Sequence, residues 1–288
     1  MVGFDPTGSG TYSTYADLWT NITDTAVVSG FIAGANVGGP GGILPYVTEL
    51  QTQARIGVMS NNGPITTPAG LNTSFEMTKI VRFQELVTSQ TPTTATFGLP
   101  LSQPAAMDVD STRAGVQNFA VFFDQITPGA GSSQAVPGNG AGTVRCYGAG
   151  VTGGIANGCG AGAGDPDGDG VMILSGHLVF HAASFTASGA VGTGSFDTRF
   201  VIDYVDPAYL DIVTGAVVLD IFTGTTNVPS FFTPASMWDG ATATTVPLLK
   251  MDSSQSFAAV PEPGTVAIIG LGLAGLALSK RRKVNAPC

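Results

Sequence analysis

The sequence predicts an all-β protein, with a single β-sandwich or jelly-roll-like domain over residues 1–250. Polar and apolar residues alternate with a period of two in several short stretches, which is typical of strands with one buried face. The 288 residues include 40 glycines and 18 prolines, which supply turns between such strands. No stretch before residue 261 keeps an amphipathic helical period over ten residues, so short strands joined by turns favour a sandwich.

The first 45 residues are rich in Gly, Thr and Ser and predict a turn-linked edge region, with short apolar pieces at residues 26–28 and 31–33. The alternation sharpens at residues 50–58 and predicts a strand with one solvated face. The run Asn61-Asn-Gly-Pro64 predicts a turn after this strand.

Two further strands follow. In residues 75–84 apolar and polar residues alternate, but Lys79 interrupts the apolar face and Ile80 the polar face, so we expect a β-bulge there. Residues 118–126 place three large apolar residues on one face and Phe122 on the other. We therefore expect both faces of this strand to be covered.

A long glycine-rich loop is predicted over residues 128–170, because 13 of the 33 residues from 138 to 170 are glycine and the hydrophobic periodicity disappears. The loop contains Cys146 and Cys159. Outside the cytoplasm, where conditions are oxidising, an even pair of cysteines predicts a disulfide. Metal ligation by two isolated cysteines is disfavoured.

Four more stretches predict strands after the loop, at residues 171–174, 178–180, 195–204 and 217–222. Of these, residues 195–204 show the strongest alternation of the whole chain. Residues 251–260 predict a linker to the end of the chain.

Composition narrows the class of partner. The formal net charge is −9, so nucleic acid is excluded as a partner, because phosphate binding needs a basic face. Hydrophobic residues make up 43% of the chain and charged residues 11%, which excludes a disordered acidic tail. An acidic, self-repelling surface suits a protein outside the cell that binds a divalent cation.

The end of the chain contains three segments in a fixed order. Pro261, Glu262 and Pro263 come first, and two of these three residues lack the backbone donor that a helix or a central strand needs. An uncharged apolar run at residues 265–279 follows and predicts a short transmembrane helix of about 22 Å, against a hydrocarbon core of about 30 Å. Four adjacent cations close the run: Lys280, Arg281, Arg282 and Lys283. The positive-inside rule places these cations in the cytoplasm and the preceding domain outside.

These segments resemble the PEP-CTERM sorting tail, which combines Val-Pro-Glu-Pro, an apolar span rich in Leu, Gly and Ala, and a basic cluster. The resemblance implies that a Gram-negative bacterium exports the chain as an inner-membrane-anchored precursor, held transiently through residues 265–279. It also implies that an exosortase removes the tail, with Pro261, Glu262 and Pro263 as the recognition element. Such proteins reach the cell surface or the exopolysaccharide matrix. The alternative, a buried core helix, rarely ends in four adjacent cations.

The beginning of the chain lacks the matching export signal. Residues 1–8 have neither a basic n-region nor an apolar h-region, so they do not form a signal peptide. Because a sorting tail needs an export signal, we expect either that the gene model is truncated or that translation begins upstream of Met1.

A second resemblance rests on short fragments in the body of the chain, which are similar to flocculation-associated PEP-CTERM proteins. The fragments are Phe4-Asp-Pro-Thr-Gly-Ser-Gly10, Val81-Arg-Phe-Gln-Glu85, Ile173-Leu-Ser-Gly176, Gly194-Ser-Phe-Asp197 and Ile202-Asp-Tyr-Val-Asp-Pro207. The resemblance implies a matrix protein that helps cells to aggregate with exopolysaccharide, and it supplies no catalytic residues.

One internal motif predicts a metal site. Asp165, Asp167 and Asp169, followed by Gly170, reproduce the opening of a calcium-binding loop, in which a sharp turn converges hard oxygens on Ca²⁺. A full EF-hand is excluded, because the twelfth position is Gly176 and not an acid. A partial calcium loop and a solvated polar turn both remain open.

Two other pairs of residues are candidate sites. His177 and His181 would share one face of a helix, but the surrounding residues predict a strand, on which they would lie about 13 Å apart and form a polar face. Asp108 and Asp110 resemble the carboxylate pair of a glycoside hydrolase, although a calcium or solvent contact is the simpler interpretation. The Gly148-Ala-Gly-Val-Thr-Gly153 run matches a dinucleotide fingerprint by chance, since it neither follows a strand nor opens a helix.

Three functional classes follow from these patterns. The first is a non-enzymatic exported protein with a structural or adhesion role in exopolysaccharide, biofilm or floc formation. The second is a calcium-dependent carbohydrate-binding module, and the third is a secreted glycoside hydrolase. An exposed row of aromatic residues would favour the second class, and a cleft with two carboxylates would favour the third.

Overall fold

The computed structural model describes residues 1–32, 34–110, 112–125, 171–188, 191–212, 215–227, 248–250 and 253–258. These residues belong to one compact unit, Met1–Ala258. The predicted glycine-rich loop 128–170 and the sorting tail 261–283 lie outside the described residues.

Strands dominate the described part of the chain, which contains one 3₁₀ turn (Ala105–Met107) and no α-helix. The strands are β1 (Val2–Phe4), β2 (Thr14–Ala16), β3 (Leu18–Ser29), β4 (Tyr46–Ser60), β5 (Phe75–Gln90), β6 (Thr94–Gly98), β7 (Phe119–Gln125), β8 (Val171–Ser188), β9 (Val191–Val205), β10 (Leu210–Asp211), β11 (Val217–Asn227), β12 (Leu248–Lys250) and β13 (Ser254–Ala258). The predicted all-β class is therefore confirmed.

Eight of the strands close into one antiparallel barrel. The hydrogen-bonded neighbours run in the order β3, β4, β5, β7, β8, β9, β11 and β13, and β13 pairs with β3 to complete the ring. A closed barrel thus replaces the predicted sandwich of two sheets. Alternation specifies which residues share a face but not which strands pair, so the sequence pattern suits both architectures equally.

Two positions of the barrel are each filled by two short strands. Between β5 and β8, β7 pairs at one end of the barrel and β6 at the other. Between β3 and β11, β13 and β12 divide the position in the same way. Residues 254–258 lie within the predicted linker 251–260, but they form the strand that closes the barrel.

Apolar side chains fill most of the barrel interior, as expected for an eight-strand barrel whose bore is just wide enough for side chains. Phe119 stacks on Phe200 at a centroid distance of 5.1 Å, and Trp19 meets Phe257 edge to face at 4.5 Å. The other buried members of this core include Ile56, Met59, Phe75, Met77, Val81, Phe83, Val121, Phe123, Ile173, Leu174, Ile202 and Val218.

The predicted bulge at Lys79 and Ile80 is wrong, because the register of β5 with both β4 and β7 is continuous across them. Lys79 keeps its inward position and is fully buried. Ile80 points outward and packs in a second cluster with Val109, Ala120 and Phe122. The prediction that both faces of β7 are covered is therefore confirmed.

A small sheet in the order β10, β1, β2 packs against one end of the barrel. Phe4 of β1 reaches the interior core, with its ring centroid 5.7 Å from that of Phe75 and 6.2 Å from that of Phe123. The predicted edge region 1–45 thus contains β1 and β2 of this sheet and the long barrel strand β3. Register shifts after Thr20 and after Ile22 interrupt the regular pairing of β3 with β4.

Candidate functional site

A chain of four polar side chains crosses the barrel interior. Glu85 faces inward from β5, and its Oε1 accepts a hydrogen bond of 3.0 Å from the Thr48 hydroxyl on β4. Its Oε2 lies 3.1 Å from Nε2 of His181 on β8. The other ring nitrogen of His181, Nδ1, lies 2.8 Å from Oγ1 of Thr198 on β9. We call these residues the interior network.

Burial decides what the interior network can do. The His181 side chain is 0% exposed and that of Glu85 is 4% exposed. The Phe83 ring and the His181 imidazole meet edge to face, with their centroids 4.7 Å apart. The Thr198 hydroxyl, the His181 imidazole and the Glu85 carboxylate follow the order of a catalytic triad, in which the imidazole activates a hydroxyl nucleophile. The Thr198 hydroxyl is also buried, however, so in this structure no substrate can reach it.

A second polar cluster joins the closing strand to its neighbours. Nζ of Lys79 donates a hydrogen bond of 3.1 Å to Oγ of Ser253, and Nδ2 of Asn21 donates one of 2.7 Å to the same oxygen. The backbone N–H of Asn21 also donates to the Ser253 carbonyl at 3.0 Å. The Ser253 hydroxyl, directly before β13, thus links Lys79 of β5 to Asn21 of β3.

The two histidines lie on opposite faces of β8. A β-bulge between Leu178 and Phe180 reverses the side-chain parity, so His181 turns inward while His177 stays outside. Nδ1 of His177 lies 2.6 Å from Oδ2 of Asp203 on the outer surface. The predicted strand is confirmed, but the predicted shared polar face is wrong. The two rings cannot hold one metal ion.

Asp108 and Asp110 serve local structure. Oδ1 of Asp108 accepts the backbone N–H groups of Asp110 (3.1 Å) and Gln117 (2.9 Å). The buried Asp110 carboxylate accepts the hydroxyl and backbone N–H of Thr112, the Ser175 hydroxyl at 3.0 Å, and lies 3.4 Å from Arg113. Both carboxylates are thus occupied by neighbouring donors and stabilise the loop before β7.

The first turn of the chain surrounds a buried carboxylate. Asp5 accepts hydrogen bonds from the backbone N–H and hydroxyl of Thr7, the backbone N–H and hydroxyl of Ser9, and the backbone N–H of Thr11, all between 2.7 and 2.9 Å. Burial raises the pKa of Asp5, but these hydrogen bonds lower it by more and hold the pKa well below its usual range. The fragment Phe4-Asp-Pro-Thr-Gly-Ser-Gly10 is therefore a carboxylate-centred turn.

The interior network is not predicted from the sequence, although the strand alternation that orients Glu85 is visible there. The alternation of residues 75–84 continues to Val87, which puts Glu85 on the same face as Phe83. No sequence signal places His181 inside, because its orientation depends on a bulge. Lys79 appeared only as an interruption of an apolar face.

The predicted metal, disulfide and sorting residues all lie outside the described residues. They are Asp165, Asp167, Asp169, Cys146, Cys159, Pro261, Glu262, Pro263, Lys280, Arg281, Arg282 and Lys283. Within the described residues, no group of three or more His, Cys, Asp or Glu side chains is placed to hold a metal ion. In the same part of the chain, no helix is long and apolar enough to cross a membrane.

The sorting segment begins where the barrel ends. Strand β13 finishes at Ala258, and residues 259–283 match the family model of the PEP-CTERM protein-sorting motif. No curated protein and no solved structure shows a significant match to the chain. The motif marks an exported precursor that passes through the membrane and is processed by an exosortase. The chain thus carries the PEP-CTERM protein-sorting motif directly after its closing strand, over residues 259–283.

Proposed function

We propose that the exported barrel is a non-enzymatic structural or adhesion component of an extracellular matrix, in which it holds exopolysaccharide during biofilm or floc formation. The observation that carries this proposal is the sorting motif at residues 259–283, which follows directly on the closing strand of the barrel. Removal of the tail after Ala258 leaves every described strand in the exported product. The protein is thus delivered as a finished domain.

Support for a non-enzymatic role comes from the acid and base groups of the described residues. The interior network is closed to substrate by burial, and the Asp108 and Asp110 carboxylates are engaged with neighbouring donors. Glycoside hydrolysis needs two carboxyl groups that face a sugar from both sides. Asp108 and Asp110 instead accept hydrogen bonds from donors in their own loop and from Ser175 on β8, which favours a structural protein over a hydrolase.

The test of this function uses cells that secrete the protein. We expect replacement of Pro261, Glu262 and Pro263 by alanine to leave the tail attached and the protein absent from the matrix fraction. Mass spectrometry of the wild-type matrix protein should show a chain that lacks residues 265–288. We also expect the alanine strain to aggregate less than the wild type. If the protein is missing from the matrix of the alanine strain and this strain still aggregates as well as the wild type, the proposed role is wrong.

We further propose that Ca²⁺ binds Asp165, Asp167 and Asp169 and supports bridging to acidic polysaccharide. The motif ends one residue before Val171, the first residue of β8, so the segment that bears it is attached directly to a barrel strand. The affinity should be weak, on the order of 10⁻⁴–10⁻³ M as in extracellular modules, because the acid at the twelfth position is missing.

Calorimetry decides the calcium proposal. We expect heat of binding and a higher melting temperature for the wild-type chain in calcium, and neither effect for a variant with Asp167→Ala and Asp169→Ala. Asp203→Ala, which removes an exposed carboxylate on β9, is the matched control. The same calcium response in wild type and double variant would show that the motif is only a turn.

A further inference from the structure

The outer surface of β6, β8 and β9 presents hydroxyl groups in two aligned rows, which we call the hydroxyl array. Each strand contributes two hydroxyl residues that are separated by one inward-facing residue. The first row contains Thr94, Thr186 and Thr193, and the second contains Thr96, Ser184 and Ser195. Five of the six residues are exposed, and Ser195 is half-buried.

The register of the strands makes the array a regular grid. Thr94 pairs with Thr186, and Thr186 in turn pairs with Thr193, so each row runs straight across the three strands. Neighbouring strands lie about 4.8 Å apart, and alternate residues on one strand about 6.8 Å apart. The backbone register continues to β11, where Thr225 is opposite Thr193 and Thr223 is opposite Ser195.

Hydrogen bonds between side chains orient part of the array. Oγ of Ser184 lies 3.1 Å from Oγ of Ser195, and Oγ1 of Thr96 lies 2.9 Å from Oγ1 of Thr88 on β5. Each hydroxyl has one donor and two acceptor lone pairs, so these contacts leave capacity for a ligand. Side chains that are held before binding lose less conformational entropy when a ligand arrives.

The array is uncharged, although the chain carries a net charge of −9. Strand propensity explains why threonine occurs here, but not why charge is missing from an exposed face. The outward positions of β4 and β5 show the contrast, since they include the half-buried Glu49, Arg55 and Arg82. Uncharged ligands with many hydroxyl groups match a neutral surface of this kind, because they need hydrogen bonds and no counter-charge.

An aromatic side chain extends the same face along β8. Phe180 is 40% exposed and points outward, as do Ala182 and Ser184 further along the strand. The Arg199 guanidinium lies 4.7 Å from the Phe180 ring centroid, and it also makes bonds of 2.8 and 3.2 Å to Asp197. The charges nearest to the array thus neutralise each other. An exposed aromatic ring offers the C–H face of a sugar an apolar contact.

We propose that the hydroxyl array, with Phe180 at its edge, is a binding surface for an uncharged polysaccharide. This inference rests on the proposed matrix function and assigns the polymer contact to one face of the barrel. A polymer repeats its hydroxyl groups along the chain, so a periodic row of protein hydroxyls can hold it over several strands. Many weak contacts of this kind add up through multivalency.

The test replaces three hydroxyl groups without changing side-chain shape. The variant combines Thr94→Val, Thr186→Val and Thr193→Val, and the probes are microcrystalline cellulose and chitin in a sedimentation assay. Valine suits strands as well as threonine does, so we expect an unchanged melting temperature. We expect the variant to bind at least tenfold more weakly than the wild-type chain. Thr73→Val, at an exposed position in the turn before β5, is the matched control and should bind like the wild type.

Two outcomes would overturn the inference. One is equal binding of the triple variant and the wild type, and the other is no binding of the wild type to either uncharged probe. A second measurement tells whether only the binding surface or the whole proposed function is wrong. It asks whether the wild type and the triple variant are each found in the matrix of cells that secrete them. If wild type and triple variant both stay in the matrix and support aggregation, only the assignment of the surface fails. If the wild type itself is absent from the matrix, the proposed function fails.

Discussion

Single carboxylates show how strongly local donors control this fold. The five hydrogen bonds to Asp5 come from three residues within six positions of it, so the turn is built around the charge. The same loop is tied to the turn after β9, because the Asp5 N–H donates to the Tyr209 carbonyl at 2.9 Å. One ionised side chain thus orders the chain where the small sheet meets the barrel.

We expect the contribution of Asp5 to stability to depend on pH. Its pKa is lower in the folded than in the unfolded chain, so the stabilisation is complete above the unfolded value of about 3.9. It is lost as the pH falls towards the folded value. At pH 7, Asp5→Asn should lower the free energy of unfolding by about 1–3 kcal/mol, because donors lose their acceptor.

Urea titrations from pH 7 to pH 2 test this prediction. The difference between wild type and Asp5→Asn should shrink below about pH 4, where the wild-type carboxylate begins to lose its advantage. Asp211→Asn, an exposed position on β10, serves as the control. A difference that stays constant over the whole range would contradict the assignment.

The two histidines provide a second test at the residue scale. His181→Gln removes the hydrogen-bond partner of the buried Glu85 and Thr198 side chains, and a buried polar group that loses its partner costs about 1–3 kcal/mol, so we expect this variant to destabilise the barrel. His177→Gln changes a surface contact and should shift the free energy of unfolding by about 0.5 kcal/mol or less. Denaturant midpoints measure both. Similar losses for the two variants would mean that the bulge between them does not separate inside from outside.

Irregularities within strands decide which side chains reach the interior. The bulge after Leu178 turns His181 inward, and the shifts in β3 interrupt its register with β4. Glycines mark other places where backbones approach closely. A Cβ added at Gly176 of β8 would lie 2.3 Å from the Val201 carbonyl oxygen of β9, which is a backbone atom with little freedom to move.

We therefore expect Gly176→Ala to destabilise the barrel by about 1–3 kcal/mol or more, because β8 and β9 would have to separate. Gly98→Ala on β6 is the matched control, since its added Cβ would meet only the Thr88 methyl at 3.5 Å, an ordinary contact. The control should change the free energy of unfolding by about 0.5 kcal/mol or less. Thermal and urea unfolding of both variants provide the comparison. Equal stability of the two would contradict the close approach of the strands.

At the scale of the whole molecule, the last strand closes the barrel. Strand β13 pairs with β3 on one side and with β11 on the other, and Phe257 packs against the buried Trp19. The sorting motif starts at residue 259, one residue after this strand. Cleavage within the sorting motif therefore removes no residue of the strand that closes the barrel.

Two truncations test the closure. A chain that ends at Val260 should unfold cooperatively, whereas a chain that ends at Asp252 should lose cooperative unfolding, because it lacks Ser253 and β13. The shorter chain exposes Trp19 and leaves two unpaired strand edges, which promote aggregation. Near-ultraviolet circular dichroism and light scattering report on these effects. Cooperative unfolding of the shorter chain would show that β13 is dispensable.

The sequence by itself determined the all-β class, most of the long strands and the sorting motif. These features depend on neighbours in the chain: a strand at residues 50–58 or 195–204 follows from its own alternation, and the motif at residues 259–283 is read directly. The alternation and the motif can both be recognised without knowing which strands pair. The disulfide between Cys146 and Cys159 and the calcium loop stay predictions.

Only the tertiary structure decided the closure of the barrel, the interior network and the hydroxyl array. Ser253 meets Asn21 from 232 positions away, and Glu85 meets His181 from 96 positions away. Such contacts depend on which strands pair and on where bulges reverse side-chain parity. Neither is encoded in a local pattern, because a period of two places residues on a face but does not say which strand lies beside it.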